Sequence, residues 1–394
     1  MIDYLAPKWG ALVLFPGQRY YGESIPSTSM EYLTTQQVLE DYVELLTFVK
    51  KQYRADSCPV VAFGGSYGAT LATLLRSAYP SAVVGSLASS TEMGYYDLDN
   101  WAAHGVDEFT FSDIIAKDYN DADPMCLDAI DASKRAIEAA TIDELVKAFN
   151  LCDPSGSALG PHKSDLFLYG LEGLCQQDYP YAIGAMPAWP VNYVCKELVH
   201  ATSTCTTSSC LINTSAAVTY LSLGEDMSDG CFEALEEGPG NIPGDGPGLG
   251  AWGYQSCTET LHEFSSRGIR EYNFDFKSSA QVPCADLYGV YPDVNVLTAR
   301  YGGFNIGDGK SDVTNVIWSN GALDPWHGGG FLPQYAPPDA TEKGLHYFMI
   351  ESGAHHLDLR GPHPEDPPEV TEVRRQEEEI IWKWIQDYVK SNRE

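Results

Sequence analysis

A serine lies in a glycine-rich pentapeptide that is typical of a strained turn from a strand into a helix. The sequence Gly64-Gly65-Ser66-Tyr67-Gly68 follows a short apolar run and precedes a segment with helical spacing. In such a turn the serine Oγ projects from the sheet, and the first N–H groups of the helix can stabilise an oxyanion. Ser66 is therefore the candidate nucleophile, and the N–H of Tyr67 is the candidate oxyanion donor. The alternative interpretation is a glycine-rich turn with an incidental serine.

A serine hydroxyl reacts quickly only when a base accepts its proton, and a carboxylate must orient that base. After a turn of this kind the acid and then the histidine follow along the chain. Asp324 follows one apolar run and His355 follows the next. Because the carboxyl ends of parallel strands lie at one edge of a sheet, we expect the three side chains to converge there. Three other histidines are rival bases: His327, His356 and His363.

The elements that would position these residues alternate between strand and helix in residues 1–90 and again in residues 295–394. Five apolar runs have the length and composition of buried parallel strands: 11–15, 60–63, 83–88, 315–318 and 345–350. Helical spacing marks three segments: 35–49 after a Thr34/Gln37 capping pattern, 67–78 and 378–389. Together with the serine turn, this order predicts an α/β fold built on an α/β-hydrolase sheet.

Residues 91–294 break that alternation. They contain helix-like segments such as 130–149, a Gly/Pro-rich stretch at 236–253 that we expect to be an exposed loop, and nine of the ten cysteines. We interpret residues 91–294 as a large helical cap domain inserted into the sheet domain. No cysteine has the paired CxxC spacing of a metal site, so we expect disulfides, and no metal or cofactor.

The charge of the chain limits its partners. Lys and Arg number 24 against 55 Asp and Glu, which gives a formal net charge of -31. Such a surface repels phosphate backbones and anionic lipids, so nucleic acid and membrane surfaces are not expected as partners. No segment has the roughly 18 to 20 consecutive apolar residues of a membrane span. The oligomeric state stays open, and a homodimer is compatible with the sequence.

The cysteines and one sequon indicate a secretory route. Asn213 begins the sequon Asn-Thr-Ser within a Ser/Thr-rich stretch, 201–217, that we expect to be an exposed loop and a glycosylation site. Residues 1–8, however, have neither the basic leader nor the apolar run of a signal peptide. The two observations conflict unless the protein has further residues upstream.

The motifs around the candidate residues together resemble those of the lysosomal Pro-X carboxypeptidase and dipeptidyl-peptidase II family. The matching segments are 19–24 (Arg-Tyr-Tyr-Gly-Glu-Ser), 64–68, 319–326 (Ser-Asn-Gly-Ala-Leu-Asp-Pro-Trp) and 353–360 (Gly-Ala-His-His-Leu-Asp-Leu-Arg), with 179–181 and 187–190 resembling the family's cap. The resemblance implies a helical cap on an α/β-hydrolase domain and a lysosomal, vacuolar or secreted setting. It also implies hydrolysis after proline near a chain end.

The resemblance also implies roles for individual residues. It places Ser66, Asp324 and His355 in the triad, Trp326 in the aromatic wall of the proline pocket, and Thr70 where relatives often carry methionine. It implies three disulfides: Cys126–Cys195, Cys152–Cys231 and Cys257–Cys284. Four cysteines stay unassigned, of which the last two could pair locally: Cys58, Cys175, Cys205 and Cys210.

Three questions stay open at this stage. Family members carry a signal peptide and further strands before the position of Met1, so we expect either a start upstream of this sequence or a catalytically impaired homologue with a binding role. The intact triad residues favour the first. An esterase or lipase is the alternative enzyme, since the same fold and triad serve ester hydrolysis. Removal of a C-terminal residue and removal of an N-terminal dipeptide are equally compatible with the sequence.

Overall fold

The computed structural model describes residues 1–223, 230–232 and 250–392. Its centre is a parallel sheet of four strands in the order β1–β2–β3–β4: Val61–Gly65, Gly85–Ser89, Val316–Gly321 and Leu345–Ile350. Ser89 is paired with Gly65 on one side and with Ser319 on the other, so the carboxyl ends of the strands lie at one edge. Two strands from each part of the predicted core therefore form one sheet, and the chain between them leaves and rejoins it.

Fifteen α-helices lie in the described residues. In chain order, α1 to α15, they are Ile2–Trp9, Thr35–Tyr53, Tyr67–Ala78, Thr110–Ala122, Cys126–Ala139, Ile142–Ala148, Asp165–Leu174, Pro190–Thr204, Ser208–Ser222, Ala251–Thr258, Val282–Tyr288, Val296–Tyr301, Phe304–Gly307, Ala340–Lys343 and Pro368–Ser391. Only one hydrogen bond of the predicted capping box of α2 forms: Thr34 Oγ1 accepts the N–H of Gln37 at 3.3 Å. The Gln37 side chain accepts a hydrogen bond from Arg19 and not from the backbone of Thr34. No helix in these ranges is both long and apolar enough to cross a lipid bilayer.

Helices cover both faces of the sheet, as its alternating side chains require. Ala88 and Trp318 face the core shared with α2 and α3, whereas Leu87 and Ile317 face the core shared with α1 and α15. The second face is packed closely: a Cβ added to Gly85 would lie 2.3 Å from the ring of Trp384 in α15. A strand that is covered on both faces appears in the sequence as a continuous apolar run. Four of the five predicted runs correspond to strands of this sheet: 60–63, 83–88, 315–318 and 345–350.

A separate hydrophobic core joins helices α4 to α9, and disulfides connect these and the following helices. The bridges are Cys126–Cys195, Cys152–Cys231, Cys205–Cys210 and Cys257–Cys284. The first bridge joins α5 to α8, and the last joins α10 to α11. Cys58 is an exposed thiol and Cys175 is a buried one.

The run 11–15, which we predicted as the first buried strand, is not a strand. Leu12 and Phe15 are 62% and 76% exposed, and residues 11–18 have no regular structure. The prediction was wrong because a strand forms only beside a partner backbone, and the described sheet contains no strand paired with this segment. Apolar composition alone does not specify such a partner.

The Ser/Thr-rich stretch 201–217, predicted as an exposed loop, is mostly helical. It contains the end of α8 and most of α9, whose first turn is capped by Thr207 Oγ1 accepting the N–H of Cys210 at 3.3 Å. Hydroxyl groups here bond carbonyls one turn earlier, and Ile212 lies buried on one face. Asn213 lies on α9 and is exposed. Most of the predicted loop 236–253 lies outside the described residues.

Candidate active site

Ser66 lies at the junction of β1 and α3, in a backbone conformation that non-glycine residues adopt only under strain. Its φ and ψ angles are 58° and −130°. A Cβ added to Gly64 would lie 1.9 Å from the carbonyl O of Gly68, so the turn requires glycine at position 64. At Gly68 an added Cβ would meet no atom within 4 Å outside its own helix. Ser66 N donates to Ser89 O at 3.0 Å, which anchors the turn to β2.

Asp324 and His355 form a buried hydrogen-bonded pair at the same edge. His355 Nδ1 lies 2.7 Å from Asp324 Oδ2, and the other carboxylate oxygen accepts the N–H of Trp326 at 3.1 Å. Burial by itself would lower the pKa of His355, but the charge of Asp324 and the hydrogen bond to it raise the pKa above its ordinary value. The ring is thus oriented with Nδ1 towards the carboxylate, and Nε2 is left to accept a proton.

The loop that carries His355 is held against the strand end that carries Ser66. His356 N donates to Ser90 Oγ at 2.9 Å, and a Cβ added to Gly65 would lie 3.0 Å from the His356 ring. On the other side, Tyr179 OH donates to the carbonyl O of His355 at 3.0 Å. The contacts of Gly65 and His356, the chain neighbours of Ser66 and His355, therefore hold the two loops against each other at this sheet edge.

The rival histidines have different surroundings. Burial lowers the pKa of His327, whose Nδ1 lies 2.7 Å from the backbone O of Asp324. Burial, together with the charge of His355, lowers the pKa of His356 to about 4. His363 is exposed beside the ring of Tyr181. Of the histidines in the described residues, only His355 bonds the carboxylate of Asp324.

Asp358 stabilises the loop that carries the two histidines, although nothing in the sequence distinguishes it from its neighbours in the matching segment 353–360. Its carboxylate accepts hydrogen bonds from Ser89 Oγ in β2 and, at 2.7 Å, from Ser319 Oγ in β3. Arg374 in α15 donates to the carbonyl O of Asp358 at 2.9 Å. Two strands and the terminal helix thereby fix the position of the short helix Leu357–Leu359 that follows the histidines.

The candidate oxyanion donor, the N–H of Tyr67, opens α3 and makes no hydrogen bond within the described residues. The Tyr67 side chain is partly buried, and the loss of solvent around its hydroxyl raises its pKa well above the ordinary value; the hydroxyl accepts a hydrogen bond from Gln255 Nε2 at 2.8 Å. Gln255 belongs to α10, so residues of the predicted cap contact the nucleophile turn directly.

The two candidate pocket residues lie in different elements. Trp326, in the short helix Pro325–Gly329, belongs to an aromatic wall that sequence patterns did not reveal, because its members are spread along the chain. The ring centroids nearest to the indole lie between 4.8 and 6.1 Å away: Phe111, His262, Phe264 and Tyr95. Thr70 is buried in α3, and its Oγ1 lies 3.2 Å from Thr91 Oγ1.

One carboxyl group near the site also escaped sequence analysis. Glu92 follows β2 and is 3% exposed, and its Oε1 accepts a hydrogen bond from Tyr96 OH at 2.7 Å. Burial raises the pKa of Glu92 to about 7, although the hydrogen bond from Tyr96 and the charge of His355 act in the opposite direction. Over the residues that the structure describes, no cluster of three His, Cys, Asp or Glu side chains could hold a metal ion.

Comparison with known proteins gives matches over almost the whole chain. The family model of serine carboxypeptidase S28 matches residues 1–377. The lysosomal Pro-X carboxypeptidases of Homo sapiens and Mus musculus are each 32% identical to this chain, over 98% of the chain and 77% of each relative. Prolyl carboxy peptidase like protein 5 of Caenorhabditis elegans is 29% identical over 98% of the chain and 80% of that protein.

Proposed function

The chain belongs to the serine carboxypeptidase S28 family and is a serine-type exopeptidase; from this premise we propose that Ser66, Asp324 and His355 are its catalytic triad. We further propose that it cleaves peptide bonds on the C-terminal side of proline near a chain terminus. The observation that carries the proposal is the buried His355–Asp324 hydrogen bond of 2.7 Å at the sheet edge where Ser66 occupies a strained turn.

The proposed residues divide the reaction among themselves. Ser66 Oγ attacks the carbonyl carbon of the scissile bond while His355 Nε2 accepts the hydroxyl proton. The negative charge that develops on the carbonyl oxygen is stabilised by the N–H of Tyr67. Asp324 stabilises the imidazolium that forms, and His355 then gives the proton to the leaving amine. Water, activated by the same histidine, hydrolyses the acyl-enzyme and restores Ser66.

The proposal also includes a proline pocket, a cap domain, a cellular compartment and a glycosylation site. The aromatic wall around Trp326 is suited to a flat, apolar proline ring, and Thr70 in the first turn of α3 is the second proposed pocket residue. The separate core of α4 to α9 supports a cap formed by residues 91–294 between the two core segments 1–90 and 295–394. Four disulfides and the lysosomal relatives support a lysosomal or secreted setting, in which exposed Asn213 is a glycosylation site.

The first test is covalent labelling of Ser66 by a fluorophosphonate probe, which reacts quickly only with an activated serine. We expect labelling of the parent protein and none of Ser66→Ala. Ser90→Ala is a matched control, because Ser90 also follows a strand at this edge but lies beside His356 and not in the turn. Labelling that persists in Ser66→Ala, or a parent protein that does not label, would contradict the triad.

The second test concerns the substrate and uses two peptide pairs. An N-blocked peptide ending in Pro-Phe reports carboxypeptidase activity, and a peptide with a free N-terminal Ala-Pro reports dipeptidyl-peptidase activity. Each is compared with its alanine analogue at the proline position. We expect the C-terminal pair to be cleaved, because the relatives are carboxypeptidases by name. Equal cleavage of the alanine analogues would contradict the preference for proline.

A further inference from the structure

The backbone of His355 is held on both sides by one segment that lies far from it in the sequence. Its N–H donates to the carbonyl O of Gln176 at 3.2 Å. Its carbonyl O accepts a hydrogen bond from the hydroxyl of Tyr179 at 3.0 Å. The two partners are three residues apart, so one short piece of chain fixes both peptide groups that flank the Cα of the candidate base.

The segment 175–179 is itself anchored to helices outside the sheet. Cys175 belongs to the separate hydrophobic core of α4 to α9 and is fully buried there. Asp178 Oδ1 accepts the N–H of Val191, in the first turn of α8, at 3.0 Å. The hydrogen bonds of the His355 backbone therefore connect it to this helical core, in addition to the sheet edge that carries its own loop.

Tyr179 is held in place by contacts that do not involve its hydroxyl group. The residue is 6% exposed. Its ring stacks on the ring of Tyr181, with centroids 6.2 Å apart, and the guanidinium carbon of Arg360 lies 4.7 Å from its centroid. A ring packed in this way keeps its hydroxyl in one place. Removal of the hydroxyl alone should therefore leave the packing intact.

The position of His355 matters more than that of an ordinary buried residue. In the proposed reaction its ring must keep the hydrogen bond to Asp324 and also accept the proton of Ser66. A histidine side chain has only two rotatable bonds, so its ring follows a displacement of its backbone. General-base catalysis requires the base to lie within hydrogen-bond reach of the proton that it removes.

We propose that Tyr179 is a positioning residue for catalysis: together with the carbonyl O of Gln176, it holds the backbone of His355 so that the ring meets both Asp324 and Ser66. The inference rests on the proposed function, because it requires His355 to be the base. Tyr179 acts through His355. The helical core of α4 to α9, and not the sheet alone, then determines where the base of the triad lies.

The test is Tyr179→Phe, which removes the hydroxyl and keeps the ring. We expect kcat for the N-blocked Pro-Phe peptide to fall by about tenfold or more, because a displacement of about 1 Å in a catalytic group can cost about 10²-fold in rate. KM should change by less than about twofold, since the lost contact acts on the chemical step. The rate of fluorophosphonate labelling of Ser66 should fall in parallel with kcat, and this second readout does not depend on substrate preference.

Tyr119→Phe is the matched control. Tyr119 is also fully buried in the helical core, and its hydroxyl donates to a backbone carbonyl, that of Leu171, at 2.9 Å. Both variants lose one hydrogen bond of the same kind, so both should melt earlier than the parent. Only Tyr179→Phe should lose kcat and labelling rate, because only its hydroxyl bonds the candidate base.

Three results would overturn the inference: kcat and labelling rate of a folded Tyr179→Phe within about twofold of the parent, equal losses in both variants, or a raised KM with an unchanged kcat. Labelling of the parent protein at Ser66 decides separately on the triad. A parent that labels, with a Tyr179→Phe that labels equally fast, disproves only the positioning role. A parent that does not label contradicts the triad and, with it, the base that Tyr179 would position.

Discussion

Two pairs of polar side chains near the proposed triad differ in how far the hydrogen bonds of their buried atoms are satisfied. Asp324 and His355 bond each other, and Asp324 also accepts a backbone N–H. Glu92 and His262 each keep one atom without a partner among the described residues. The first pair is prepared to hold charge before substrate arrives, as preorganised catalytic groups are. The second pair is buried without these hydrogen bonds in the part of the chain that the structure describes, which costs free energy in the folded state.

The strongest test of this contrast is Asp324→Asn. An asparagine keeps the shape and can still accept the N–H of Trp326, but its NH2 group faces His355 Nδ1 and favours the wrong tautomer. We expect kcat to fall by about 10⁴-fold, the size of loss that this change causes in other serine peptidases. The measurement is hydrolysis of the N-blocked Pro-Phe peptide under saturating substrate.

The control for Asp324→Asn is folding. Asp324 is fully buried, so the melting temperature and circular dichroism of the variant must match those of the parent before its activity is interpreted. A folded variant that retains activity within tenfold of the parent would show that the buried pair is structural and would remove the basis of the contrast.

Sequence analysis predicted the paired residues and missed the unpaired ones, for a physical reason. Ser66, Asp324 and His355 each follow a strand of the parallel sheet, and strands leave a local pattern of apolar residues in the sequence. Glu92 and His262 both contact Tyr96, and His262 does so only because segments far apart in the chain pack together. One local signal existed for Glu92, a carboxylate shortly after a predicted strand, but nothing in the sequence distinguishes it from a solvated loop residue.

The fold likewise contains elements that local spacing predicts and elements that depend on contacts with distant segments. The helix 67–78 and the strand 345–350 were predicted with the bounds that the structure has, because both are specified by local spacing. The run 11–15 looked like a strand but has none of the described strands beside it. The stretch 201–217 looked like a loop, yet its hydroxyl groups bond carbonyls of α9. Strand pairing and side-chain packing determine the structure of both segments. A short stretch of sequence does not specify either kind of contact.

The second test measures what the unpaired carboxyl group costs the folded state. Burial raises the pKa of Glu92 from an ordinary value of 4.5 to about 7, so the folded protein retains a proton that the unfolded chain releases. Stability must therefore fall as the pH rises from about 4.5 to about 7, with a full cost on the order of 3 kcal/mol above that range. Glu92→Gln removes the ionisation, and its melting temperature should exceed that of the parent at pH 8.

The same comparison at pH 4 is the internal control, because Glu92 is protonated in both states there and the two melting temperatures should agree closely. The raised pKa of His355 stabilises the folded protein, whereas the raised pKa of Glu92 destabilises it once the carboxyl group must ionise. The contribution of His355 is present below about pH 6.5 and is lost as the pH rises through the raised value. An equal difference between parent and Glu92→Gln at both pH values would show that the carboxyl group is not titrating in this range.

The third test uses the pH dependence of kcat/KM. His355 accepts a proton only when it is neutral, so kcat/KM should rise with pH and reach a plateau above the raised pKa of His355. The groups whose charges act on His355 include Asp324, Glu92, Asp358 and His356. Because Glu92 is a weaker contributor than Asp324, Glu92→Gln should move the midpoint to lower pH by less than about one unit. A shift to higher pH would contradict the sign of this coupling.

The smallest expected effect concerns Thr70, the buried residue that links α3 to Thr91. Thr70→Val keeps the volume but leaves the Thr91 hydroxyl without that partner, at a cost of about 1 kcal/mol in the free energy of unfolding. Thr73→Val is the matched control on the same helix, since it removes the hydroxyl that accepts the Trp318 N–H at 3.1 Å. Both variants should melt earlier than the parent. Only Thr70→Val should also change KM, because Thr70 is a proposed pocket residue, and an unchanged KM would place Thr70 outside the substrate pocket.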